Sequence, residues 1–372
     1  MYCGIWEWPF SPPNLLFDGI FLIISYKDYT TVMGDVKMAG KRYSESPFIR
    51  NVVIPKIRVR QLGYRTEETY VNWIGQFIAY HKAKAPEALR EGAERKVEQF
   101  LTYLAAEREV SASTQNVAFS ALLFLYRHVL RVELAGVHAL RARERKRVPV
   151  IVDRETVLRL VEALPDETLR LMAGLLYGSG LRLRECVRLR VKDVDTRRFR
   201  VTVREAKGDK DRVTILPKRL AGALERQIAF VRQLHRADLV RGHGAAYVPP
   251  ALARKYTGAA RETGWQWLFP SKSISEDPRA PGVWRRHHVS ESSLQKALKG
   301  AVRSQEVDQR VSCHTLRHCF ATHLLEDLTA RGENVMAALE QVREYLGHAH
   351  IRTTRVYLHL TRKAEARSPL DE

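Results

Sequence analysis

Cysteine is scarce in this chain: Cys3, Cys186, Cys313 and Cys319 are the four in 372 residues. Thiols so few and so scattered exclude a disulfide framework and point to a reducing, cytoplasmic setting. Long apolar runs are also missing. The stretch Gly19 to Ile24 falls far short of the ~18 residues that cross a bilayer. It also lacks the basic start and small-residue cleavage pattern of a secretory signal, so no membrane partner is expected. Acidic residues are outnumbered, 42 against 62 Lys and Arg, for a formal net charge of +20. A chain this basic repels itself unless a polyanion is its partner, and nucleic acid is the usual one. With 45% hydrophobic and 28% charged residues, wholesale disorder is excluded, and the length allows two domains, each with its own core.

Residues 1–46 differ from the rest: Trp6, Trp8 and Pro9 stand among scattered turn residues, and no helical period is sustained. The expectation is an extension, or a true start at Met33 or Met38. From Pro47 the chain reads as a small helical domain, 47–145. Tyr70, Ile74, Phe77 and Ile78 share one helical face, with Thr66, Glu67 and Glu68 suited to a first turn. Ser111 can cap a second helix carrying Phe119, Leu122, Leu123, Tyr126, Val129 and Leu130. A basic connector follows, with Arg143, Arg145, Lys146 and Arg147 placed to track a phosphate backbone. A second domain, 146–372, opens on a helix bearing Val157, Leu160, Val161 and Leu164, capped by Asp153 or Thr156. Phe199 to Arg204 alternates as a half-buried strand, Gly208-Asp209 turns the chain, and Val213 to Leu216 returns. Helical segments dominate after Leu220. The fold class is mainly α with a small β-sheet or hairpin.

Three boxes carry chemistry. One is Gly178-Ser-Gly-Leu-Arg182, with a helix to follow. Another is His314-Thr-Leu-Arg317, whose His and Arg lie three apart on one helical face. The third is Leu346-Gly-His348, followed nine residues later by Tyr357. Two arginines can fork onto the non-bridging oxygens of a phosphate and neutralise charge that grows there in a transition state. A tyrosine hydroxyl titrates near 10 and needs a base or a positive field before it attacks. Histidines move protons near neutral pH, and a lysine on a hairpin tip can protonate a leaving oxygen. Such a set needs no metal or other cofactor. Cys313, His314, His318, Cys319 and His323 are dense in possible zinc ligands, but Thr315 stands where a zincin helix needs its glutamate, and no metal is expected. His318 and His323 read as structural, and Glu185 as a buried partner that orients an arginine.

In order and spacing these boxes resemble the tyrosine recombinase (phage integrase) family. The resemblance implies a catalytic set of Arg182, Lys207, His314, Arg317, His348 and the nucleophile Tyr357. It implies a covalent 3′-phosphotyrosyl link with release of a 5′-hydroxyl, His314 as base and Lys207 as acid. The segments Ala251 to Tyr256, Gly264 to Pro270 and Arg285 to His288 resemble the insert, near 251–290, that marks integron integrases. The segments Tyr64 to Tyr70 and Ser111 to Asn116 are similar to that subfamily's core-binding domain, and the likeness runs from about Ile57 to Lys363.

For this subfamily the resemblance implies a site-specific recombinase that moves gene cassettes. It would act at double-stranded sites and at folded single-stranded ones, where Trp265, Pro278, His287 and His288 hold unpaired bases. It also implies a two-domain clamp on DNA, a homo-tetramer of protomers, and a tail after Tyr357 that docks on a neighbour. One departure is the long interval from His314 to His348, with a surplus at 328–335 where Gly332 and Asn334 mark a loop or a break between helices. If that segment rotated the last box, the chain would be a catalytically impaired DNA-binding relative. A type IB topoisomerase-like nicking-closing enzyme is the other alternative, and the 251–290 segment argues against it. The start-site expectation is checked by the intact mass of the natively expressed protein: a mass equal to all 372 residues removes it.

Overall fold

Apolar residues that return every three or four positions can bury a common face only as helices, and along most of the chain they do so in the computed structural model. The structure describes residues 43–135, 149–206 and 210–359. Two compact units divide between Lys146 and Arg147.

In the first unit α1 (Ile54–Val59), α2 (Tyr64–Tyr80), α3 (Ala93–Ala106) and α4 (Ala112–Phe124) enclose one core around Ile74, Phe77, Phe100, Phe119 and Leu122. Ser111 starts α4: its hydroxyl accepts from the Thr114 amide at 3.2 Å and satisfies one of the orphan donors of the first turn. The helix continues as a wider π-helical turn, Leu125–Leu130. That turn carries Tyr126 into the core, where its hydroxyl donates to the Leu89 carbonyl at 2.8 Å.

The second unit begins at α5 (Arg154–Glu162), capped by the Asp153 carboxylate, which accepts from the Thr156 amide at 2.8 Å. Next come α6 (Glu167–Gly178) and the short α7 (Leu183–Val187). A three-stranded antiparallel meander follows: β1 (Val194–Asp195), β2 (Arg200–Ala206) and β3 (Lys210–Ile215). Its register sets Val201 against Thr214 and Val203 against Arg212. The 20-residue α8 (Ala221–Val240) leads into the short α9 (Pro250–Lys255).

Helical segments dominate after Leu220, as expected, but one element was not foreseen: β4 (Pro270–Asp277) and β5 (Ala280–His288) form a second antiparallel hairpin inside 251–290. Periodicity could not reveal it. Val283 and Trp284 are both exposed, Pro270, Pro281 and Gly282 are poor strand formers, and Arg285 to His288 shows no apolar alternation. Polar anchors hold this hairpin instead. Arg286 forks onto Asp238 of α8 at 2.6 and 2.8 Å and donates to the Ser271 and Lys272 carbonyls, both at 2.8 Å.

The chain closes with α10 (Glu291–Ser304), α11 (Cys313–Ala330), α12 (Val335–Leu346), α13 (Ile351–Thr354) and a 3₁₀ turn, Arg355–His359, that carries Tyr357. Buried residues surround α11 on all sides, so it is a central helix, not a surface one. The surplus at 328–335 is absorbed by lengthening helices. Only Arg331 to Asn334 connect α11 to α12, with Gly332 at φ +84° and the Asn334 side chain capping α12 through the Met336 amide at 2.9 Å. Leu339, Val342 and Leu346 then pack with Phe320, Leu325 and Leu328 of α11, which returns the last box to the first.

Between α6 and α7 the chain reverses through Ser179 and Gly180. The Thr214 hydroxyl of β3 donates to the Ser179 carbonyl at 2.8 Å. Gly180 takes φ +65°, and a Cβ there would lie 2.5 Å from the Phe320 ring. Gly180→Ala therefore combines left-handed strain with a clash against α11 and should cost about 2–4 kcal/mol. Chemical denaturation checks this, and unchanged stability would remove the requirement for glycine at the Ser179-Gly180 turn.

Candidate active site

One carboxylate organises the second unit's polar centre. Glu185 of α7 accepts from Nη1 of Arg182 at 2.7 Å and from the Arg182 amide at 2.8 Å. Both of its oxygens also take the fork of Arg212 from β3, at 2.9 and 2.6 Å. A third guanidinium, Arg317 of α11, approaches to 3.7 Å. Burial by itself would raise the Glu185 carboxyl, but the hydrogen bonds and charge of Arg212, the Arg182 amide and the charge of Arg317 overcome it and hold the group at about 2. Three cations around one anion leave two positive charges in surplus, a field suited to an incoming phosphate.

Arg317 is 1% exposed. It donates from Nη1 to the Gly180 carbonyl and from Nη2 to the Leu346 carbonyl at 2.6 Å. Burial and then the charge of Arg182 press its guanidinium down to about 9, so it stays charged at neutral pH. Arg212 reaches further: its Nε donates to the Tyr345 carbonyl at 3.0 Å, near the end of α12. Gly347 follows at φ +62°, and a Cβ there would lie 2.7 Å from Arg212 Cδ. The glycine of the Leu-Gly-His box is thus required both by backbone conformation and by the close approach of Arg212.

His348 sets Nε2 3.4 Å from Nη2 of Arg317 and Nδ1 3.0 Å from the hydroxyl of the fully buried Thr354. Burial, followed by the charges of Arg317, Arg182 and Arg212, pulls its imidazole down to about 3. Its ring lies parallel to that of Tyr357, with centroids 6.5 Å apart. Tyr357 is 2% exposed. Burial raises its phenol above the usual value while Arg317 and Arg182 pull the other way, so the hydroxyl keeps its proton and already feels both arginines. That hydroxyl lies 2.8 Å from Nδ1 of His318. His314 is exposed one turn earlier on α11, with its ring edge-on to His318 at 4.3 Å.

Arg182, Arg317, His348 and Tyr357 are therefore gathered within one chain, with His314 at their edge. Lys207 lies outside the described residues, as do Arg143, Arg145, Lys146 and Arg147. Two side chains matter more than the sequence reading allowed. His318, read as structural, contacts the phenol. Arg212, next to the returning strand Val213 to Leu216, was given no role. Its signal was an inverted strand: Arg212 faces inward opposite buried Val203 while Val213 is 51% exposed. That inversion is visible only once the register is known.

A cavity of about 760 Å³ adjoins this cluster and shares Arg182 and Glu185 with it. Trp265, Trp267, Tyr256 and Lys192 line its other side. The Lys192 ammonium sits 2.8 Å above the Trp265 ring centroid, and Arg190 lies 4.0 Å above Trp267. Trp267 meets His288 edge-on at 5.3 Å. Trp265 and His288 thus belong to one row of rings and cations. His287 has a buried Nε2 without a hydrogen-bond partner. Pro278 occupies the turn of the β4–β5 hairpin, whereas His287 and His288 end β5.

Removing the central carboxylate tests the cluster. Glu185→Gln should cost about 3 kcal/mol at neutral pH. A depressed carboxyl stabilises the fold above its ordinary 4.5 and loses that contribution as pH falls to about 2. The gap between wild type and variant should therefore narrow with acid across that window, and a pH-independent gap in thermal melts would contradict the assignment.

Residues 151–364 match the phage integrase family, and residues 49–135 match the phage integrase N-terminal SAM-like domain. An integrase/recombinase of Escherichia coli is 40% identical over 319 residues, covering 84% of this chain and 91% of the relative. Among solved structures, the XerH site-specific recombinase bound to palindromic difH substrate superposes with a TM-score of 0.53 at 18% identity, over 84% of this chain and 81% of that one. The Tn1549 transposon integrase in complex with transposon right end DNA gives 0.51 at 14% identity, over 86% and 96%. At these identities the two structures speak to the fold, which is mostly helical with small antiparallel sheets in a two-domain architecture. The sequence match over most of the chain establishes the rest: this chain belongs to the phage integrase family, the tyrosine site-specific recombinases that cut and rejoin DNA.

Proposed function

We propose that the chain is an integron integrase that moves gene cassettes, with Tyr357 as its nucleophile. The observation that carries the catalytic part is the buried hydroxyl of Tyr357, held 2.8 Å from His318 on the helix that bears Arg317, with its ring parallel to that of His348. In the reaction the two guanidiniums clasp the scissile phosphate's non-bridging oxygens and offset the charge that grows there. The Tyr357 oxygen attacks phosphorus, leaving a 3′-phosphotyrosyl link and a 5′-hydroxyl. The phosphodiester's energy is kept in that link, so rejoining requires no nucleotide. Lys207 is the acid for the leaving oxygen, by the family resemblance. Glu185 and Arg212 hold the arginines in place. The link of His348 to Arg317 favours an active enzyme over an impaired relative, since the 328–335 surplus leaves that contact intact.

The integron part of the reading rests on the 251–290 segment. Trp265 borders a cavity next to the catalytic cluster that is large enough for a base. Stacking an unpaired base there gives a route to folded single-stranded sites as well as duplex ones. Pro278, His287 and His288 contribute from the β4–β5 hairpin. Residues 47–145 form the core-binding domain and 146–372 the catalytic one, with Arg143, Arg145, Lys146 and Arg147 on the phosphate backbone between them. Four protomers assemble on two DNA sites. No helix among the described residues is long and apolar enough to cross a membrane, and the DNA partner and buried thiols fit a cytoplasmic enzyme.

The test uses sites selected by this chain from a randomised duplex pool, then nicked so that cleavage is trapped. Wild type should form a covalent adduct, and Tyr357→Phe should form none. Trp265→Ala should weaken binding of a folded single strand with an unpaired base by about 5- to 100-fold and leave duplex binding unchanged. Equal losses on both DNAs would remove the base-holding role, and relaxation without pairing of two sites would favour the nicking-closing alternative.

A further inference from the structure

The Tyr357 proton must leave before its oxygen can bond to phosphorus, and the nitrogen nearest that proton belongs to His318. Nδ1 of His318 and the Tyr357 oxygen are 2.8 Å apart. The two rings are tilted by 51° with centroids 5.7 Å apart, so they do not stack. His314 stands on the exposed side of α11, where an incoming phosphate would meet it, and touches the phenol's partner through its ring edge. The two histidines are therefore placed for different work, one toward DNA and one toward the nucleophile.

We propose that His318 is a catalytic residue that takes the Tyr357 proton during cleavage and returns it during joining. This rests on Tyr357 being the nucleophile. In cleavage the bond from the Tyr357 oxygen to phosphorus forms and the bond from phosphorus to the 5′ oxygen breaks. The phenol's proton passes to Nδ1 of His318, and the 5′ oxygen takes a proton from a separate acid, Lys207 by family resemblance. In joining, the 5′-hydroxyl attacks and gives its proton back to that acid's conjugate base. The bond from phosphorus to the tyrosine oxygen breaks, and the departing phenolate recovers its proton from His318.

The surroundings suit this role. His314 and Arg317 face His318 from α11, and Tyr357 and His348 face it from the end of the chain. Burial first, then His314 and Arg317, hold the His318 imidazole down at about 4, so without DNA it is neutral and able to accept. A phosphodiester beside it brings negative charge, which favours the protonated form at the moment the proton arrives. The proton acceptor is thus weak until substrate is in place, which keeps the phenol protonated and inert in the free enzyme.

The experiment compares full-length wild type, Tyr357→Phe, His318→Ala and His318→Asn on the same nicked duplex, in single turnover and across pH. In the last variant the side-chain amide oxygen can replace Nδ1 in the hydrogen bond but cannot take a proton. His318→Asn should cleave and rejoin about 10²- to 10³-fold more slowly, with DNA affinity retained and the wild-type fall in rate on the acid side absent. A substrate with sulfur at the 5′-bridging position, whose thiolate leaves without a proton, should not restore it. His318→Asn at the wild-type rate, or rescue by the sulfur substrate, overturns the proposal. If His318→Ala fails to fold, the Asn variant still gives the answer. Absence of an adduct from wild type overturns the Tyr357 reading and this one together, an outcome distinct from the loss of His318's role alone.

Discussion

Three guanidinium groups cannot be gathered in a protein interior unless an anion sits among them, and here that anion is Glu185. It binds Arg182 within its own helix start, receives Arg212 from a strand, and lies near Arg317 from the central helix. Two of these arginines also hold something further away. Arg317 fastens the Gly180 turn to the end of α12 through two carbonyls. Arg212 fastens the sheet to the same end of α12. The carboxylate is therefore the point through which α7, β3, α11 and α12 share one geometry. Its charge is too small to balance its neighbours, so the site remains positive and suited to an anion.

Burial and that unbalanced charge act on the groups around it, with opposite consequences. Both keep His318 and His348 neutral, whereas at Tyr357 burial raises the phenol against the pull of Arg317 and Arg182.

The 251–290 segment is attached by a second set of polar contacts. Asp238 and Arg286 fix the hairpin to α8, and Arg190 lies over Trp267 while donating to the Trp265 and Tyr247 carbonyls. Because Arg190 lies just beyond α7, the insert and the arginine cluster are built on one short stretch of chain. That short separation places the cavity lined by Trp265 and Trp267 beside the arginine cluster.

Local rules made much of this legible in advance. The helices announced themselves by period and by caps at Ser111 and Asp153, the strand pair by alternation, and the candidate catalytic residues by their types and order. These depend on neighbours a few residues apart, where 3.6-residue and two-residue periods govern geometry. The β4–β5 hairpin was not legible, because polar anchors from α8 hold it and no apolar alternation marks it. Nor were the inward turn of Arg212 and the choice of His318 over His314 as the phenol's partner. The His318 contact joins residues 39 apart, and a rotation of α11 by one residue, about 100°, would have delivered a different side chain. Sequence alone determined which chemical groups were present and which short elements carried them. The packing of α11 and α12 around the Glu185 cluster decided which nitrogen met which oxygen, because contacts across such separations depend on helix rotation and strand register that no local pattern records.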